Sequence, residues 1–288
     1  MYSSHEITLN NNVIPTGDAS AEIRLDPVNI LPVELILYIF SYLMTQDLVR
    51  CELVARRWQS LTKDEPFKKS VLHRELKKLE AGGRFIGEDI WNQYIGDVGE
   101  VPPLPDKIIQ ILFSACPWKN PGKKKDGARV KDTHIFGLIP ATVNGKSLTL
   151  NSIEDLVKSP KKGYSTKYRY IWDQIKVEHG DTSYWALMTI DVLDGSRGEN
   201  LDNQLPLAKR QTGYRAPTLR DAVIFNFLPF VIKEERLLGI KPCTYTCCQG
   251  VPIPGMKFIV GGFGTGGLYV GVEYSKMPYI GVVALRKF

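Results

Sequence analysis

Long apolar runs are missing from this chain of 288 residues. A membrane-spanning helix needs about 18 or more consecutive apolar residues. The nearest approach, AVIFNFLPFVI at 222–232, is too short and is interrupted by Asn226 and Pro229. No membrane partner is therefore expected. A basic start followed by an apolar core is also missing, so no Sec-type signal is expected. Cysteine is scarce: Cys51, Cys116, Cys243, Cys247 and Cys248 make an odd count of 5. That pattern excludes a disulfide framework and reads as reduced thiols in an intracellular setting. No period of about 20–50 residues repeats, which excludes leucine-rich, WD and kelch arrays.

What remains is an ordinary globular balance, 43% apolar and 24% charged. It suffices for one small module and one larger domain. The net charge of +6 is a modest excess that suits acidic partners or simple solubility. Residues 1–28 are polar and rich in Ser, Asn and Thr, and read as a disordered tail.

The stretch from 31 to 67, LPVELILYIFSYLMTQDLVRCELVARRWQSLTKDEPF, carries the most information. Leu31-Pro32 reads as a helix start, because proline at the first helical position loses no useful N–H. Leu35, Ile36, Ile39, Phe40 and Leu43 follow on one helical face, and Leu37, Tyr38 and Tyr42 lie off it. A helix apolar nearly all round implies cover on more than one side. Met44-Thr45 breaks it, and Thr45 is placed to cap a second helix carrying Leu48, Cys51, Leu53, Val54 and Trp58. A module of roughly 40 residues is marginal alone. Either the downstream domain covers this face, or another protein does.

Leu31-Pro32, Glu34-Leu35-Ile36, Ile39-Phe40, Leu43, Asp47-Leu48, Val54, Arg57-Trp58 and Leu61 resemble the F-box motif in order and spacing. Where many of that family have a late Trp, this chain has Phe67. The resemblance implies docking on a Skp-family adaptor of a cullin–RING ubiquitin ligase. It implies Leu31, Pro32, Leu35, Ile36, Ile39 and Phe40 as anchors. Leu43, Leu48, Val54 and Trp58 join the adaptor-binding set, with some of them and Phe67 holding three short helices together.

Lys68 to Leu79 reads as a linker helix ending at Gly82-Gly83, so the helical module is placed at 29–82 and the second domain at 84–288. In that domain DKIIQILF at 106–113 reads as a short helix and YWALMTIDV at 184–192 as a strand. Asn144-Gly145 predicts a hairpin turn, with 134–143 entering it and 147–150 returning. Asn151 with Glu154 predicts a helix cap, and Thr218 caps a longer helix through Leu238 with Pro229 inside it. The last fifty residues read as short strands. Helices and strands do not alternate, so the expected fold class is α+β: a small N-terminal three-helix module, then a mixed domain ending in short antiparallel strands. The strings WNQYIGDVGEVPPLP, YWALMTIDVLDGSR, IVGGFGTGGLYV and GVVALRKF, taken in order, are similar to a domain of F-box-bearing proteins from environmental chlamydiae. That resemblance implies a bacterial effector in a host cytoplasm and brings no catalytic residues.

Three motifs hint at other chemistry. Gly262 to Gly267 contains GxGxxG, but a strand pattern follows where a phosphate-binding helix is needed. A glycine-rich turn is expected, and no nucleotide cofactor. Cys243, Cys247 and Cys248 lack a second ligand pair for zinc, so no metal is expected. Cys116 with His134 and Asp132 permits a thiol hydrolase, although Cys116 before Pro117 also suits a small buried filler. The basic run from Lys119 to Lys131 has one adjoining aromatic, Trp118, and reads as a solvated loop, with no nucleic-acid partner. The expected function is a non-enzymatic substrate receptor that brings a target protein to a ligase. The alternatives are a non-ligase interaction module and the Cys116 hydrolase.

Overall fold

The computed structural model describes residues 31–43, 47, 65–118, 127–170, 180–250 and 256–288. Tail residues 1–28 and most of the expected second helix, with Leu48, Val54 and Trp58, lie outside them, as do Lys119–Lys125.

Among the described residues the first named helices are α1 (Val33–Tyr42) and α2 (Glu65–Ala81). α2 ends as its glycines dictate. Gly83 has φ 70°, and Arg84 N donates to Leu79 O at 2.7 Å while Gly83 N donates to Glu80 O at 2.9 Å. This is the two-bond C-terminal motif that a left-handed residue permits.

The rest of the chain alternates short elements: β1 (Phe85–Ile86), α3 (Glu88–Tyr94), α4 (Ile108–Phe113), α5 (Val130–Thr133), β2 (His134–Ile139), β3 (Thr142–Val143) and β4 (Lys146–Ser147). Then follow α6 (Leu150–Lys158), β5 (Tyr168–Tyr170), β6 (Tyr184–Thr189), α7 (Leu201–Ala208), β7 (Tyr214–Arg215) and α8 (Leu219–Lys233). The chain closes with β8 (Tyr245–Cys247), β9 (Lys257–Gly264), β10 (Gly267–Glu273), β11 (Ile280–Gly281) and β12 (Leu285–Lys287). The fold is mixed helix and sheet with no closed barrel. One sheet has the order β1-β2-β6-β12-β7 and the other β11-β8-β9-β10-β5, with β3-β4 as a separate hairpin.

The centre is α8. Every residue from Leu219 to Val231 is buried, and the helix packs against β2 of the first sheet and β9 and β10 of the second. A helix apolar all round needs cover all round. Its one mid-helix amide is satisfied: Asn226 Nδ2 donates to Ala222 O at 2.7 Å and Oδ1 accepts from Leu238 N at 3.3 Å. Two tryptophans are satisfied too, Trp91 Nε1 by Leu138 O at 3.1 Å and Trp185 Nε1 by Pro102 O at 2.9 Å, whereas the buried Trp118 Nε1 has no partner among the described residues.

Several local expectations shift by a few residues. The hairpin turn forms at Asn144-Gly145, both at positive φ, but its arms are only β3 and β4, and β2 pairs with β6 instead. The cap of α6 is Thr149, not Asn151. Thr149 Oγ1 accepts from Ser152 N at 3.1 Å and Thr149 N donates to Ser152 Oγ at 2.8 Å, a reciprocal box with Ser in the third position. Thr218 does cap α8, with Asp221 completing the box, but the helix stops at Lys233. The strand at 184–192 ends at Thr189. Among the closing strands β8, β9 and β10 are antiparallel neighbours, while β11 runs parallel to β8. The glycine-rich stretch is the turn between β9 and β10, with no helix after it.

Candidate functional site

Pro32 stands one residue before α1, at the cap, and its carbonyl accepts from Ile36 N at 3.1 Å. α1 then presents two apolar stripes. Ile36 and Phe40, one turn apart, are 2% and 3% exposed and pack with Phe67 and Val71 of α2. The Phe40 and Phe67 rings lie 6.1 Å apart, so Phe67, the aromatic in the late-tryptophan position, belongs to this small core. Leu31, Leu37 and Leu43 are half-buried against it. Arg74 Nη2 donates to Leu43 O at 2.9 Å and fastens the end of α1 to α2.

The second stripe is Leu35, Tyr38, Ile39 and Tyr42, at spacings i, i+3, i+4 and i+7. These residues are 50%, 60%, 46% and 72% exposed, and Pro32 and Val33 beside them are exposed as well. Tyr38 and Tyr42 support each other, with rings 5.0 Å apart edge-to-face and hydroxyls 2.7 Å apart. Leaving a Leu or Ile uncovered forgoes about 1.5–3 kcal/mol. A contiguous apolar stripe in water marks a contact surface.

The ten residues read as adaptor-binding therefore separate. Pro32, Leu35 and Ile39 are open to a partner, and Leu31 and Leu43 are half-buried. Ile36 and Phe40 are buried in the α1–α2 core. Leu48, Val54 and Trp58 fall outside the described residues. Sequence reasoning missed Tyr38 and Tyr42 as candidates for the open surface; the i, i+3, i+4, i+7 run with Leu35 and Ile39 was the available signal.

α2 is shared between two cores. Phe67 and Val71 serve the α1 cluster, while Leu72, Leu76 and Leu79 pack into the main core. Arg84, just beyond, makes a two-pronged ion pair to Glu235, with both N···O distances 2.9 Å.

The thiol-hydrolase geometry is not assembled. His134 Nδ1 lies 2.8 Å from Thr133 Oγ1 and Nε2 lies 3.4 Å from Tyr214 Oη, so neither ring nitrogen is left for Cys116. Burial pushes His134 down to about 3, so it is neutral near pH 7. Asp132 pairs with Lys131 at 3.2 Å instead. Cys247 is buried with Sγ 2.8 Å from Gln204 Oε1, and burial pushes its thiol up to about 12. Among the described residues no group of His, Cys, Asp or Glu is placed to hold a metal ion. Among them, too, no helix is long and apolar enough to cross a membrane. A cleft of about 610 Å³ opens between Asp191, Leu193, Arg197, Cys243 and Tyr279. Within it Arg197 Nη2 donates to Asp191 Oδ1 at 3.0 Å and to Thr244 Oγ1 at 3.1 Å.

A family model described as F-box-like matches residues 28–73. No curated protein and no solved structure matches the chain. The matched span contains α1, its exposed stripe and the first half of α2. The chain thus carries an F-box-like domain, a kind of domain that serves as a protein-interaction module rather than an enzyme and binds Skp-type adaptors.

Proposed function

We propose that this protein is a substrate receptor for a cullin–RING ubiquitin ligase. Its F-box-like region docks on a Skp-family adaptor through Pro32, Leu35, Tyr38, Ile39 and Tyr42, and residues 84–288 select a target protein. The observation that carries this reading is the uncovered apolar stripe of α1 inside the F-box-like match. The chain supplies proximity instead of chemistry. Holding a target beside a charged conjugating enzyme raises the effective concentration of its lysines, and catalysis stays with the ligase. The reduced cysteines and the resemblance of 84–288 to a chlamydial domain support action inside a cell, delivered to a host cytoplasm.

Co-expression with a eukaryotic Skp-family adaptor, followed by gel filtration, tests the docking. A 1:1 complex is expected, and Leu35→Glu with Ile39→Glu should abolish it while leaving the circular dichroism spectrum unchanged. A complex that survives both substitutions, or a folded wild-type chain that never forms one, overturns the reading.

A further inference from the structure

Away from α1, two cations, Arg220 and Lys287, lie over the Tyr184 ring, and a third, Arg215, lies near Lys287. Tyr184 on β6, Lys287 on β12 and Arg215 on β7 share a sheet face, because Lys287 pairs with Ala186, two residues from Tyr184, and Arg215 pairs with Leu285, two residues from Lys287. Arg220, in the first turn of α8, reaches the same place. Its Cζ is 5.9 Å from the Tyr184 ring centroid, and Lys287 Nζ is 3.7 Å from it.

These charges are poorly answered. Arg220 is 4% exposed, and its Nη1 is buried with no hydrogen-bond partner, as is Arg215 Nε. Leaving a buried guanidinium N–H without a partner is costly, and folds keep such an arrangement where something completes it. Asp221 is a neighbouring carboxylate, and both its oxygens are committed. Oδ1 accepts the Tyr184 hydroxyl, and Oδ2 accepts Thr218 N at 3.1 Å as part of the helix cap. Gly180 gives the guanidinium its space, since a Cβ there would lie 2.2 Å from Arg220 Nη2. Lys287 is exposed, so the cluster opens to solvent at its ammonium.

We propose that Arg215, Arg220 and Lys287 form an anion site that takes a phosphate-monoester group. Three cations close together suit a phosphate dianion better than a singly charged carboxylate. Guanidinium forks suit phosphate oxygens, and the start of α8 adds its own positive end. The mutual repulsion of the three cations is visible at Lys287, whose pKa is lowered by burial and by Arg215, raised in part by Asp221, and lowered again by Arg220. This site is independent of the adaptor reading.

Thermal unfolding of the full chain against inorganic phosphate, at constant ionic strength, tests the proposal. A saturable rise in Tm is expected, larger than acetate gives at the same concentration. The Arg215→Gln, Lys287→Gln double variant spares the fully buried Arg220. It should keep the wild-type circular dichroism spectrum and weaken binding by roughly tenfold or more, as losing charge-assisted contacts does. Lys287→Arg should retain it. Tighter binding of phosphoserine than of ribose 5-phosphate would place the group on a protein, and the reverse on a small metabolite; either supports the site. No saturable effect of phosphate, an equal effect of acetate, or undiminished binding by the double variant overturns it.

Discussion

α1 and α8 are both apolar nearly all round, yet the fold treats them differently. α8 lies between two sheets and is buried from Leu219 to Val231. α1 has one stripe against α2 and the other in water. Both helices are rich in apolar residues, so apolar content alone does not separate a core helix from a contact helix. The difference lies in how much of the chain is available to cover each. Among the described residues, α8 has two sheets for cover, while α1 has one face of α2.

The largest expected effect falls on the covered helix. Phe225→Ala removes a side chain that is 1% exposed and should cost about 3–5 kcal/mol of global stability, read by urea unfolding. A much smaller loss would mean that α8 is not the common core of the two sheets. Ile36→Ala should cost about 2–4 kcal/mol, but locally. Hydrogen exchange should quicken in α1 while α8 stays protected; equal loosening of both would merge the two regions into one cooperative unit.

Acid should act on the main domain through His134. Its folded pKa, about 3, lies below the ordinary value, so the unfolded chain takes up a proton first as pH falls. Stability is therefore full above about 6.5 and declines toward pH 3, by up to about 1.4 kcal/mol per pH unit. His134→Gln should flatten that slope in urea titrations between pH 6.5 and 4, and an unchanged slope would assign it to other groups. The smallest effect on stability belongs to the open stripe. Leu35→Glu should shift unfolding by no more than about 0.5 kcal/mol. A large loss in denaturation would show that the stripe is covered within the chain itself.

Local signals carried far into this structure, and long-range ones did not. Thr218 was legible as a cap because a Thr precedes the apolar helical run, and the structure adds Asp221 as its reciprocal partner. Asn151 misled, since Ser152 does for Thr149 what a Glu is expected to do. The Gly82-Gly83 stop was legible for the same local reason. Nothing in the order of elements announced that β12 inserts between β6 and β7, because that pairing depends on packing between distant segments. In the candidate site, the residue types were readable but not the division of α1 into an inner and an outer stripe. Ile36 and Leu35 look alike in a hydropathy pattern, and only the position of Phe67 and Val71 tells them apart.

The shared helix α2 also sets a length and an angle. Its 17 residues span about 25 Å at 1.5 Å each, with one core gripping its beginning and another gripping its end. If α1 docks an adaptor and the larger domain holds a target, as proposed, this helix is the ruler between them. One residue inserted between Leu72 and Leu76 would turn the outer stripe by about 100° and lift it by about 1.5 Å, without altering a single residue of either surface. Two intact binding faces would then point along the wrong bearing.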